Sequence, residues 1–251
     1  MGVGNKRIDK VNYYLAFIGW GRSGNSLAAA LLDFHPNIYV KNEFTAIQKR
    51  FTNQDQILRW ILKRIELKTQ NRQQAWGGFT HTPFKGMTSG VPLVIGGKKG
   101  GGTSNSLMKN PESFYRIYND VIKIPVKWIH IQRNPYDNIT TFTKHNWKPD
   151  GAIDIYFKQA VSVQKVFDEE RDCITVRLED LVKNTEKEVK RMCNHLDIKP
   201  SKKYLQHCRN VVWNKPRKTR KSVNWWNEKR IKLVEEKMKE FKFMEGYTFN
   251  G

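Results

Sequence analysis

Tyr13-Tyr14-Leu15-Ala16-Phe17-Ile18-Gly19-Trp20 runs into Gly21-Arg22-Ser23-Gly24-Asn25-Ser26, and Leu27, Ala28, Leu31 and Leu32 then recur at helical spacing. A short apolar run, a glycine-rich turn and a helical repeat read as strand, tight turn, helix. Three further runs have the length and composition of buried strands: Pro92 to Gly97, Val126 to Gln132 and Cys173 to Leu178. Helical patterns separate them at about 44–67, 110–123, 135–146, 152–170, 184–196 and 225–241. The alternation predicts an α/β fold in which helices cover both faces of a mostly parallel sheet, with ligands bound beyond the C-terminal strand ends.

The 251 residues include no Pro/Gly/Ser linker and no internal repeat, which predicts a single domain over 1–251. Hydrophobic residues at 39% and aromatics at 12% suffice for a packed core. Lys and Arg number 45 against 24 Asp and Glu, a formal charge of +21 that attracts phosphates, sulfates, nucleic acids or anionic membranes without choosing among them. One dense basic run, Lys215 to Lys221, reads equally as a nuclear signal, a solvated face or a phosphate clamp. Three cysteines, Cys173, Cys193 and Cys208, do not form a secreted disulfide pattern. Cys193 and His195 stand two apart on a predicted helix and face different ways, so no metal site is expected there. The longest apolar run, Tyr13 to Trp20, is too short to cross a bilayer, and Met1 to Lys10 lacks the apolar stretch of an export signal. Lys at position 6 argues against myristoylation of Gly2. A cytoplasmic protein without membrane association is expected.

Glycines in the 19–24 turn let the backbone approach a phosphate, and the amides opening the next helix supply donors. A triphosphate-binding loop of the form GxxxxGK[ST] requires lysine where this chain has Asn25. On this segment alone an anion site and a purely topological turn are both open.

The stretch Gly21-Arg22-Ser23-Gly24-Asn25-Ser26-Leu27 resembles the phosphosulfate-binding loop, P-[KR]-S-G-T-[ST]-[LW], of sulfotransferases that use 3′-phosphoadenosine 5′-phosphosulfate (PAPS), with Arg22 in the cationic place. The likeness continues through Leu31-Leu32-Asp33-Phe34-His35-Pro36, which is similar to the LLDAHP helix end of tyrosylprotein and bacterial members. Arg133-Asn134-Pro135-Tyr136-Asp137-Asn138-Ile139-Thr140-Thr141 resembles their second element, RNPxDxxxS. There an arginine at a strand end and a hydroxyl eight residues on converge on the 3′-phosphate, here Arg133 and Thr141.

The resemblance implies the three-layer α/β/α sulfotransferase fold, P-loop-like in its turn, and PAPS as donor with PAP, adenosine 3′,5′-bisphosphate, as product. The ungapped match places Glu43 at the general-base position of the tyrosylprotein enzymes. Lys98 matches a lysine after the second strand, often within G-D-K, where Gly97 departs from the aspartate; Lys99 is the alternative. Lys98 and Arg22 would neutralise charge on the departing phosphate. Gly21, Arg22, Ser23, Gly24, Asn25 and Ser26 would cradle the phosphosulfate, and Arg217 and Arg220, from the basic run, would close over the 3′-phosphate and adenine. No metal is implied. The glycine cluster Gly96 to Gly102 is expected to be mobile, and His81 and His145 lack the context of a histidine base.

An unidentified small-molecule hydroxyl or amine is the expected acceptor, its loops, about 45–90 and 142–155, matching no motif. Two rivals follow from the same features. A P-loop nucleotide kinase would share the turn but should carry the missing lysine, and a nucleic-acid-binding protein would explain the charge but should carry a DNA or RNA motif, of which the chain has none.

Overall fold

A computed structural model of the chain describes residues 8–66, 91–213 and 215–251. Its centre is a five-stranded sheet of β1 (Tyr13–Gly19), β2 (Ile38–Asn42), β3 (Val94–Lys98), β4 (Val126–Gln132) and β5 (Cys173–Arg177). The spatial order is β2-β3-β1-β4-β5 and every pairing is parallel. Parallel neighbours require helical crossovers, and these cover both faces.

Alternation along β1 fixes the layers. Tyr14, Ala16 and Ile18 enter one apolar core with Trp20, Trp128 and Tyr156, while Leu15 and Phe17 enter the other with Leu31, Ile129, Val176 and Met192. The second core is roofed by α1 (Asn25–Asp33), α8 (Thr185–His195) and α9 (Lys202–Val211). The first is roofed by α2 (Gln54–Glu66), α6 (Pro149–Asp168) and α10 (Glu228–Met238). The expected α/β/α architecture is therefore the observed one.

Several boundaries differ from the sequence reading. The helix predicted over 44–67 begins only at Gln54, because the Phe44 amide continues the sheet by donating to the Lys98 carbonyl, and Asn53 Oδ1 caps the new helix by accepting from Gln56 N. The pattern at 110–123 is a short helix α4 (Pro111–Tyr115) followed by a π-helical turn, Arg116–Val121. Strand β2, α9 and the single-turn-and-a-half α7 (Leu178–Lys183) were not anticipated.

The largest difference lies in the glycine cluster. Gly96 and Gly97 are inside β3, and Gly100, Gly101 and Gly102 open α3 (Gly100–Lys109), a helix rather than a mobile loop. Crowding explains the composition. A Cβ on Gly96 would sit 2.0 Å from the Leu15 carbonyl oxygen, and one on Gly97 would sit 2.5 Å from the Phe44 carbonyl oxygen. This is why the G-D-K aspartate is absent: β3 has no room for it. Both clashes are with backbone, which cannot swing aside, so Gly96→Ala should destabilise by about 3 kcal/mol or more. A urea midpoint unchanged from wild type would contradict that packing.

Candidate active site

The β1–α1 turn is shaped by two left-handed backbone positions. Gly24 has φ 104° at the N-cap of α1, where a side chain would be strained and would meet Leu178 Cδ1 at 2.6 Å. Arg22 has φ 65°, uncommon for a residue with a side chain. Ser23 is fully buried and its hydroxyl donates to the Trp20 carbonyl at 3.0 Å, so it can offer a ligand only its backbone. Asn25 Nδ2 bonds the same carbonyl at 2.6 Å and Ser23 Oγ at 2.9 Å, which locks the turn. The first-turn amides of α1 have no partner within the helix, and Gly24 supplies no side-chain cap. They form a donor set suited to an anion.

Beside the turn, the ends of β2 and β3 bring Glu43 and Lys98 together. Lys98 Nζ donates to Ser26 Oγ at 3.0 Å and forms a short ion pair with Glu43 Oε1. The pair is asymmetric: the Lys98 side chain is 4% exposed and that of Glu43 65%. Burial pushes the Lys98 ammonium down from its ordinary value, against the opposing pull of the Glu43 carboxylate. Glu43, like Arg22, is held at positive φ, 50°. Of the five non-glycine residues at positive φ among the described residues, Arg22 and Glu43 line this cavity, and such conformations cost about 1–3 kcal/mol each.

The third component stands at the end of β4. Arg133 Nη1 donates to Thr141 Oγ1 at 3.3 Å and to the Arg22 carbonyl at 3.2 Å, while Nη2 reaches Thr219 Oγ1 at 3.2 Å and the Arg217 carbonyl at 2.9 Å. Asn134 Oδ1 caps α5 (Pro135–Thr143) by accepting from Tyr136 N, which sets Thr141 one and a half turns along. Burial lowers the Arg133 pKa, yet a guanidinium stays protonated. One fork thus ties together the turn, α5 and the basic segment after α9.

All three components line a single cavity of about 840 Å³. Among the described residues its walls carry eight cationic side chains, Arg22, Lys98, Lys99, Lys109, Arg133, Lys144, Lys215 and Arg217, against one carboxylate, Glu43. It lies where the strand order turns outward from β1, beyond the C-terminal strand ends, as an open parallel sheet requires.

No family model and no curated protein matches the sequence. Solved structures match its shape. The sulfotransferase domain of the Synechococcus PCC 7002 olefin synthase superposes with a TM-score of 0.54 at 16% identity, over 90% of this chain and 94% of that one. The sulfotransferase domain of the curacin biosynthetic pathway gives 0.54 at 15% identity, over 92% and 98%. Mouse sulfotransferase SULT7A1, solved with PAP, gives 0.51 at 14% identity, over 92% and 84%. The chain has the sulfotransferase fold.

On this sulfotransferase fold, Gly21, Arg22, Gly24, Asn25, Ser26, Glu43, Lys98, Arg133, Thr141 and Arg217 all line the cavity, together with Lys99. Arg220 does not. It is 1% exposed, pairs with Asp137 through Nη1, and donates to the backbone oxygens of Phe249 and Gly251. Asp137 also accepts from the Arg220 amide at 2.8 Å, so this arginine fastens the basic segment to α5 instead of facing a ligand. The neighbouring Thr219 takes the polar role beside Arg133. Sequence reasoning missed Thr219, Asn105, Gln159, Trp147 and Trp213, which also line the cavity; of these, Thr219 lay within the basic run and Trp147 within the expected acceptor loop of about 142–155. His81 falls outside the described residues, and His145 is exposed. Among the described residues no helix is long and apolar enough to cross a membrane, and no group of three or more His, Cys, Asp or Glu could hold a metal.

The buried ammonium has a measurable consequence. With its pKa lowered in the free protein, Lys98 loses its charge below the ordinary lysine range, so affinity for a polyanion should fall as pH rises, beginning before pH 10.5. Lys98→Arg should remove that alkaline limb. Titrations across pH with both proteins check this; coincident curves would contradict it.

Proposed function

We propose that the chain is a PAPS-dependent sulfotransferase, a single catalytic domain that transfers a sulfuryl group directly to a hydroxyl or amine of a small-molecule acceptor. The observation that carries this reading is the convergence of the Glu43–Lys98 pair, the α1 turn and the Arg133–Thr141 pair on one cationic cavity. The cavity fits the donor in chemistry as well as size. Glycine lets α3 pack directly against the β1–α1 turn, since a Cβ on Gly101 would fall 2.7 Å from the Gly21 amide nitrogen. Two separate clusters of donors match the two ends of a nucleotide phosphorylated at both positions.

PAPS supplies an activated sulfuryl group on a phosphate leaving group. The acceptor O–H or N–H attacks sulfur, its proton passes to the Glu43 carboxylate, and the bond from sulfur to the bridging phosphate oxygen breaks. Lys98 stabilises the negative charge that collects on that oxygen, with Arg22 assisting and Lys99 adjacent. Ser26 Oγ, already bonded to Lys98, holds the ammonium in place. Arg133, Thr141 and Thr219 bind the 3′-phosphate, and Arg217, whose guanidinium lies 5.3 Å from the Trp213 ring, closes one side of the nucleotide. Proton transfer and charge neutralisation fall to different residues, so both can act in the same in-line step.

Differential stabilisation tests the reading. PAP at about 100 times its Kd should stabilise by about 2.7 kcal/mol and raise Tm by about 5–10 °C. ADP, and ATP with magnesium, should do much less. A shift by ATP alone would favour a nucleotide kinase; a shift by neither, with salt-sensitive oligonucleotide binding, would favour a nucleic-acid protein.

A further inference from the structure

Resting on the donor assignment above, the far end of the same cavity points to the acceptor. Helices α3 and α6 form the two walls of a trough that leads away from the β1–α1 turn. On α3, Gly101, Asn105 and Lys109 follow at intervals of four and share one face. On α6, Ile155 and Gln159 do the same, and Trp147, just before the helix, lies against its first turn, its ring 3.7 Å from where a Cβ on Gly151 would be. Gln159 Nε2 donates to Asn105 Oδ1 at 2.8 Å and so joins the walls, while Gln159 Oε1 has no partner. From Gly101 at the donor end to Lys109 at the rim the helix rises about 12 Å.

Charge and surface chemistry add to this. The donor brings about four negative charges, which leaves the eight-to-one balance of the cavity roughly three positive charges in excess. Lys109, eight residues along α3 from Gly101, stands apart from the residues assigned to the donor, whereas Lys144 follows α5 and donates to Ser222 on the basic segment. Trp147 and Trp213 are 47% and 52% exposed, and both line this cavity. Trp213 is engaged by Arg217 on the nucleotide side, which leaves Trp147 free to cover an apolar acceptor body.

We propose that the acceptor is an anionic, partly aromatic small molecule, its hydroxyl or amine at Glu43 and its fixed anion, a carboxylate or a phosphate-type group, held by Lys109 at the outer end of the trough. Lys144 contributes to the same field, and the Gln159–Asn105 hydrogen bond holds the two walls of the trough together. The anion sets specificity by orienting the acceptor along the trough, so its loss appears mainly in kcat/KM.

The test uses PAPS with four matched phenols: para-hydroxyphenylpropanoate, para-hydroxyphenylethylphosphonate, the propanamide and tyramine. The expected result is a kcat/KM at least about tenfold higher for the two anions than for the amide or tyramine, with the order reversed in Lys109→Glu. The carboxylate and phosphonate arms distinguish the anion type. A neutral or cationic phenol equal to the anions, an order unmoved by Lys109→Glu, or no turnover of either anion while PAP still raises the Tm, each overturns the proposal and leaves the donor site standing. Failure of PAP to stabilise wild type and Lys109→Glu alike overturns the donor assignment itself, and this proposal with it.

Discussion

Glu43→Gln should lower kcat by about 10²–10⁴-fold while PAP binds as tightly as before, or tighter. Removing the carboxylate deletes the proposed acceptor of the proton, the one carboxylate on the cavity wall among the described residues, whose other charged groups are cations. It also frees Lys98, which in the ligand-free protein is paired with Glu43 Oε1 and must turn to the donor when the donor arrives. The two effects oppose each other in a diagnostic way: the chemical step slows as the donor complex gains. Single-turnover transfer from labelled PAPS, measured beside calorimetric titration with PAP, separates them. Weaker PAP binding with unchanged kcat would reassign Glu43 from proton acceptor to donor-site scaffold.

Arg133→Ala carries the second large effect. One guanidinium bonds Thr141, Thr219 and the carbonyls of Arg22 and Arg217, so its loss removes a phosphate ligand and loosens three segments at once. PAP affinity should fall about 100-fold or more, which corresponds to about 2.7 kcal/mol. Adenosine 5′-phosphosulfate, which lacks the 3′-phosphate, should lose far less affinity on the same substitution. Arg133→Lys should recover only part of the loss, because an ammonium cannot reproduce the planar fork. Equal losses for both nucleotides would place Arg133 in scaffolding alone.

The parts of the fold that were legible in the sequence are those written in local pattern. Strand β1 and its turn were readable because an apolar run, Tyr13 to Ile18, ends in a glycine-rich break, and the Arg133–Thr141 pair was readable through its resemblance to RNPxDxxxS, which sets a hydroxyl of α5 eight residues beyond an arginine at the end of β4. Strand β2 was not: Ile38–Asn42 is only five residues and ends in Lys41 and Asn42, which look like loop. The start of α3 was unreadable for a different reason. Three successive glycines argue against a helix by propensity, and crowding of Gly100 against Asn25 and of Gly101 against Gly21 is visible only in the fold. Arg220 was misassigned because its partner, Asp137, is 83 residues away in the chain. Asn105 and Gln159 form a site only when α3 and α6 pack, information that no local window holds.

In the proposed mechanism the Lys98–Glu43 ion pair opens as the donor's phosphate takes the lysine, which frees the carboxylate for the acceptor's proton.

A crystal structure of the protein with PAP tests the central claim most directly. The account predicts the 3′-phosphate within hydrogen-bond distance of the Arg133 guanidinium, Thr141 Oγ1 and Thr219 Oγ1, the 5′-phosphate on the amides opening α1, and Lys98 turned from Glu43 towards that phosphate. A nucleotide bound elsewhere, or bound here with its two phosphates exchanged, would contradict it.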